Sequence, residues 1–235
     1  MAVLLLATLN PGFKKRTDLN IQNSLRLYNN QLYLKIILDH YFKSHGYLAD
    51  GIIKNSRGQT LDIAAMPAFL RTLLVTDGTV TKILEAYFWE PIAVTNLQQD
   101  EISMDPSVKF PGSQTGEALL DRRICLVGKS SNITYAHAHS FIRLDMLPSE
   151  FRSDLKSGRI GIGEILRETG LETYRELVDL GECTNFRSSS ELKNEDLDDK
   201  NPINEHVIYR TYRIMINHNP VIQVTEQFPI SIYQE

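Results

Sequence analysis

Two charged side chains stand where the local pattern calls for apolar ones. If "VIQVTEQFP" is extended, Ile222, Val224, Glu226 and Phe228 share one face, so a carboxylate interrupts an apolar row. In "LLDRRICLV", Leu120, Arg122, Ile124 and Leu126 alternate onto one face in the same way, and a guanidinium interrupts that row. Asp121 and Arg123 fall on the opposite face, where each can balance the other. Unpaired charges are costly to bury, and a guanidinium stays cationic with no acceptor of its own, so Arg122 requires an anion. The residues leave two arrangements open. In the first, Glu226 is satisfied by an arginine such as Arg210 or Arg213, or by Arg122 itself, and the charges simply neutralise one another. In the second, Arg122 and Glu226 flank a cavity. Arg122 then grips a ligand carboxylate in a bidentate fork, and Glu226 is a carboxyl group kept neutral by desolvation that donates a hydrogen bond.

Other segments carry weaker chemistry. In "RIGIGEIL", a helix starting near Gly163 would point the amides of Ile162 and Gly163 outward at a positively polarised terminus able to hold an anion; a tight turn is the other reading. The wider Gly and Lys pattern of a phosphate loop is missing. "HAH" puts His137 and His139 on one strand face with Tyr135 and Phe141, a spacing that metal sites use, but no third ligand is evident and no metal is expected. The other face carries Ala136, Ala138 and Ser140, small enough either to pack closely or to leave room for a ligand. Cys125 and Cys183 are too few and too far apart for a disulfide framework or a zinc cluster.

The elements that must position these residues can be read along the chain. Apolar content of 42% and charged content of 23% fit a soluble globular protein, and a net charge of −4 without a basic run argues against a nucleic-acid partner. The apolar run "AVLLLATL" is short, lacks a preceding basic region and is followed by Pro11 and Gly12. It predicts neither a secretion signal nor a membrane span, so no membrane association is expected and the location is expected to be cytoplasmic, or stromal in a plastid. Residues 1–65 read as an N-terminal helical extension: "SLRLYNNQLYLKIILDHYF" has a helical rhythm and "GIIKNSRGQT" reads as a link. Residues 66–235 read as the main domain. "PAFLRTLLVTDG", "TVTKILEAYF", "LPSEFRSDLKSG" and "GIGEILRETG" predict helices; "PIAVTNLQ", "ALLDRRICLVG" and "NITYAHAHSFIRL" predict strands. "ETYRELVDLG" fits either, and the acidic stretch over 184–204 reads as a loop. "HVIYRTYRIMI", the turn "NHNP" and the final strand predict a hairpin. Strands without regularly intervening helices predict an α+β fold built on an antiparallel β-sheet.

Taken in order, "TDGTVTKILEAY", "RRICLV", "IGIGEILRETGLETYRELVDLG" and "NHNPVIQVTEQFP" resemble the chorismate pyruvate-lyase (4-hydroxybenzoate synthase) family over residues 66–233. The resemblance implies an antiparallel β-sheet with flanking helices around an internal ligand pocket, and an enzyme, a carbon–oxygen lyase that splits chorismate into 4-hydroxybenzoate and pyruvate without metal or organic cofactor. It places the catalytic pair at Arg122, on the ring carboxylate, and Glu226, against the C4 oxygen. It adds the backbone of Ile162 and Gly163 beside Arg122, Val80 at a flap position that is methionine in bacterial members, and Ala138 on an inner wall where glycine is common. His139 falls near a position that is basic in some members. The implied partner is the small molecule alone, bound by a monomer or weak homo-oligomer. The implied destination of the product is quinone synthesis, plastoquinone or ubiquinone. The alternative function is a non-catalytic sensor domain for an aromatic acid, since effector domains of some transcription regulators share that fold.

Overall fold

Alternating side chains pull six segments of the chain into one sheet. The structure, a computed structural model, describes residues 52–104, 110, 115–158, 160–184 and 206–234. The helical extension expected over 1–65 lies outside the described residues as far as residue 51, and the acidic loop lies outside them from residue 185 to 205. Residues 48–235 belong to one unit. Its strands are β1 (Ile52–Lys54), β2 (Thr60–Asp62), β3 (Ile92–Ser103), β4 (Ala118–Gly128), β5 (Thr134–Ile142), β6 (Tyr174–Thr184), β7 (His206–Ile216) and β8 (Asn219–Pro229). β3 to β8 form a six-stranded sheet in the order β3-β4-β5-β8-β7-β6, antiparallel at every pairing. The last strand therefore inserts between β5 and β7, and this lays the rows carrying Arg122, Ala138 and Glu226 side by side.

Local chemistry explains the turns. "NHNP" closes the β7–β8 hairpin with Asn217 and His218 at φ 48° and 63°, between the paired Ile216 and Asn219. Two successive left-handed residues match the twist of the flanking strands. "ETYRELVDLG" resolves as strand because it pairs with β7 along its length, with a bulge between Leu177 and Asp179. The stretch read as a link, "GIIKNSRGQT", instead contributes the β1–β2 hairpin. The Asn55 side chain accepts from the amides of Arg57 and Gln59 within its turn, and the Ser56 amide donates to Asp179 on β6.

Four helices complete the described residues: α1 (Ala68–Val75), α2 (Val80–Phe88), α3 (Ser149–Ser157) and α4 (Ile162–Thr169). α3 ends on Gly158 at φ 70°, the left-handed cap that glycine accepts without strain. The short link to α4 brings the α4 N-terminus back over the sheet. Phe151 and Leu155 of α3 and Ile165 and Leu166 of α4 pack on Leu120, Ile142, Ile214 and Ile222 of the sheet. Each of these fully buried side chains stabilises the fold by about 1.5–3 kcal/mol. No helix of the described residues is long and apolar enough to cross a membrane. Phe151 is fully enclosed in this layer. Phe151→Ala is expected to lower stability by about 3–5 kcal/mol in urea unfolding; a loss below about 1 kcal/mol would contradict this packing.

Candidate active site

A cavity open to solvent, about 580 Å³ with the solvent space at its mouth included, lies between the sheet and the N-termini of α2 and α4. Its floor is set by strand register. One row runs Arg122, Ser140, Val224 and Tyr212 across β4, β5, β8 and β7. The next runs Ile124, Ala138, Glu226 and Arg210. Gly78, Thr79, Val80 and Thr81 border the cavity from the α2 side, Gly161, Ile162 and Gly163 from the α4 side, and Arg175 from β6. The six residues singled out in the sequence (Arg122, Glu226, Ile162, Gly163, Val80 and Ala138) all line this one space. Arg122 and Glu226 sit two strands apart and one pleat out of row, roughly 10 Å across the sheet and 7 Å along it. They do not bond each other; each has its own partners.

At one end Arg122 is 1% exposed. Its Nη2 donates to the carbonyls of Ile160 at 2.8 Å and Gly158 at 3.4 Å, both in the α3–α4 link. Its Nε and Nη1 have no partner among the described residues. Burial pulls the guanidinium down to about 10, with no carboxylate among the described residues to offset the desolvation. The amides of Ile162 and Gly163 open α4 ahead of its first backbone bonds, which run from Glu164 and Ile165 to the Gly161 carbonyl. Gly163 marks a close approach: a Cβ there would stand 3.0 Å from Cγ2 and Oγ1 of Thr79, whose side chain would have to give by a few tenths of an ångström, so the starts of α2 and α4 lie near each other.

The other end is a buried network. Arg210, 2% exposed, lies opposite Glu226 in the β7–β8 register and donates from Nε to Glu226 Oε2 at 2.7 Å. The Tyr212 hydroxyl donates to Glu226 Oε1 at 3.0 Å. Desolvation, then the charge of Glu226, pushes that hydroxyl far above the ordinary tyrosine range, so it stays a donor. Desolvation alone would lower Arg210, but the charge of Glu226, with Tyr212 behind it, raises it on balance. Arg210 also donates from Nη1 to the Thr76 carbonyl at 2.8 Å, tying the sheet to the α1–α2 link. Of the two arrangements that the sequence left open for Glu226, the structure shows the pairing with Arg210: a counter-charge on the adjacent strand makes Glu226 one half of a buried ion pair.

Arg210 entered the sequence reading as one of the candidate partners of Glu226; two other pocket or network residues, Tyr212 and Arg175, escaped it. Tyr212 was findable, because Ile208, Arg210, Tyr212 and Ile214 alternate onto one face of β7. Arg175 lay in the segment that fitted either helix or strand, so no face could be assigned to it. Its Nη1 donates to the Asp77 carbonyl, and its guanidinium lies 5.8 Å from the centre of the Tyr212 ring. On the far face of the sheet, His139 bonds Asp121 at 2.7 Å, with Arg123 at 4.0 Å, so this histidine serves a surface charge group and not the cavity.

The family model described as chorismate pyruvate-lyase Rv2949c-like matches residues 74–234. A chorismate pyruvate-lyase of Mycobacterium leprae is 28% identical over 176 residues, which cover 74% of this chain and 80% of that protein. The protein of the same name from Mycobacterium tuberculosis is 24% identical over 172 residues, covering 71% and 82%. Among solved structures, PhnF from Mycobacterium smegmatis superposes with a TM-score of 0.48 at 10% identity, over 66% of this chain and 65% of that one.

The two buried arginines should respond oppositely to removal of charge. Arg122→Met deletes an uncompensated cation, and stability in urea unfolding should be unchanged or up to about 4 kcal/mol higher. Arg210→Met strands the Glu226 carboxylate and should cost about 3–5 kcal/mol. Equal losses in both variants would mean that Arg122 is satisfied within the fold.

Proposed function

The chain belongs to the Rv2949c-like chorismate pyruvate-lyase family, and from that membership we propose that it splits chorismate into 4-hydroxybenzoate and pyruvate. The observation that carries this reading is Arg122: a buried guanidinium whose Nε and Nη1 have no partner among the described residues, at one end of an apolar-walled cavity. That arrangement suits a planar carboxylate on an apolar ring, held by a bidentate fork and assisted by the amides of Ile162 and Gly163.

With the ring carboxylate at Arg122, the opposite pole of the ring points toward Glu226. The carboxylate of Glu226, fixed by Arg210 and Tyr212, accepts a hydrogen bond from the C4 hydroxyl. In the reaction the ring loses its C4 hydrogen and its C3–O bond to the enolpyruvyl group. The departing enolpyruvate gains a proton on its methylene carbon and becomes pyruvate, so the two products account for every atom of chorismate. As the ring becomes aromatic the hydroxyl acidifies, and its bond to Glu226 strengthens most in the transition state, which is where a bond accelerates the step. Val80 and the start of α2 cover the cavity and limit water around the dienyl ring. The 4-hydroxybenzoate so formed would serve as a ring for quinone synthesis.

Incubation of the purified chain with chorismate should release 4-hydroxybenzoate and pyruvate in equal amounts. Tight 4-hydroxybenzoate binding without turnover would replace the lyase with a sensor. Arg122→Ala should weaken chorismate and 4-hydroxybenzoate together, by roughly a hundredfold. Glu226→Gln, with folding confirmed by circular dichroism, should lower kcat about a hundredfold while changing 4-hydroxybenzoate affinity far less. Normal turnover in that variant would remove Glu226 from the mechanism.

A further inference from the structure

Resting on the lyase reading, we infer that Arg175 holds the second carboxylate of the substrate, the one on the enolpyruvyl side chain. The charge inventory of the cavity leads to this. Its lining carries Arg122, Arg175 and Glu226, with Arg210 directly behind Glu226. Arg210 and Glu226 cancel, which leaves two cations and no anion, within a chain whose net charge is −4. Arg175 has no carboxylate partner among the described residues, and its buried Nε has no acceptor there. A monoanion such as 4-hydroxybenzoate satisfies Arg122 and leaves Arg175 bare; a dicarboxylate satisfies both.

The positions of the two cations also match the ligand. Arg122 is tethered to the α3–α4 link through the Gly158 and Ile160 carbonyls, whereas Arg175 is tethered to the α1–α2 link through the Asp77 carbonyl. Arg175 shares the Tyr212 ring with Arg210, whose guanidinium lies 5.0 Å from the ring centre, and Tyr212 bonds Glu226. Arg175 therefore stands at the Glu226 end of the cavity. In chorismate the carbon bearing the enolpyruvyl ether is next to the carbon bearing the hydroxyl. A substrate with its hydroxyl on Glu226 thus carries its second carboxylate into this neighbourhood. The Arg175 contact is lost once pyruvate has left, so Arg175 favours substrate over the retained product and eases release of the ring acid.

The test compares one constant for the dianion with one for the monoanion in the full chain. KM for chorismate and Ki for 4-hydroxybenzoate are measured for the wild type, Arg175→Gln and Arg175→Lys. Arg175→Gln should raise KM roughly tenfold or more and leave Ki within about twofold, and Arg175→Lys should recover part of the loss. KM and Ki rising together would assign Arg175 to shaping the α1–α2 link, and an unchanged KM would also overturn the proposal. If the wild type binds both acids without turnover, the lyase reading fails separately. Calorimetric dissociation constants for chorismate and 4-hydroxybenzoate then decide Arg175 by the same split. A wild type that binds neither acid overturns both readings.

Discussion

A guanidinium closed off from water must be given an anion or it destabilises the fold that encloses it. At Arg122 the described residues give two carbonyl contacts on one nitrogen and leave two further nitrogens without a partner among them. The surrounding elements make sense as the housing of that unmet need. The α3–α4 link supplies the carbonyls that aim the side chain, and α4 begins beside it with free amides. The neighbouring strand positions, Ile124 and Ala138, keep the intervening space apolar and open. Stability is given up at one residue so that an incoming carboxylate finds a dry, oriented fork already in place.

The Glu226 end follows the opposite logic. The charges of Glu226 and Arg210 match each other, although Arg210 Nη2 has no partner among the described residues, and the resulting network ties β7 and β8 to the link that leads into α2. Such a network holds an acceptor at a fixed point, which is what orienting a hydroxyl requires. The two ends therefore divide the work: one holds a cation with no counter-charge among the described residues, ready to bind, and the other holds a paired carboxylate, fixed to position. Arg175 stands between these cases, half-used by the Asp77 carbonyl and half-free.

Much of this was legible in the sequence, because strand alternation is a strong signal and a charge in an apolar row is easy to see. "ALLDRRICLVG" matches β4 residue for residue, and the rows of Arg122 and Glu226 fall on the cavity floor as alternation predicts. What alternation could not supply was the order of the strands. Only the insertion of β8 between β5 and β7 decides that Glu226 meets Arg210 across the sheet and not Arg122. For that reason the sequence left the Arg210 pairing and the neutral acid open as alternatives. The β1–β2 hairpin was read as a link because its strands are three residues each, too short to show a period. Arg175 was missed because its segment carries no clean period of either kind, and pairing with β7 is what makes it a strand.

The most direct test is the structure of the chain with 4-hydroxybenzoate bound. The ligand carboxylate should lie within about 2.7–2.9 Å of Arg122 Nε and Nη1, with the phenol oxygen bonded to Glu226 and the Arg210 and Tyr212 contacts intact. A ligand bound elsewhere, or one with its phenol toward Arg122, would contradict the claim that this buried cation is the anchor on which the site is built.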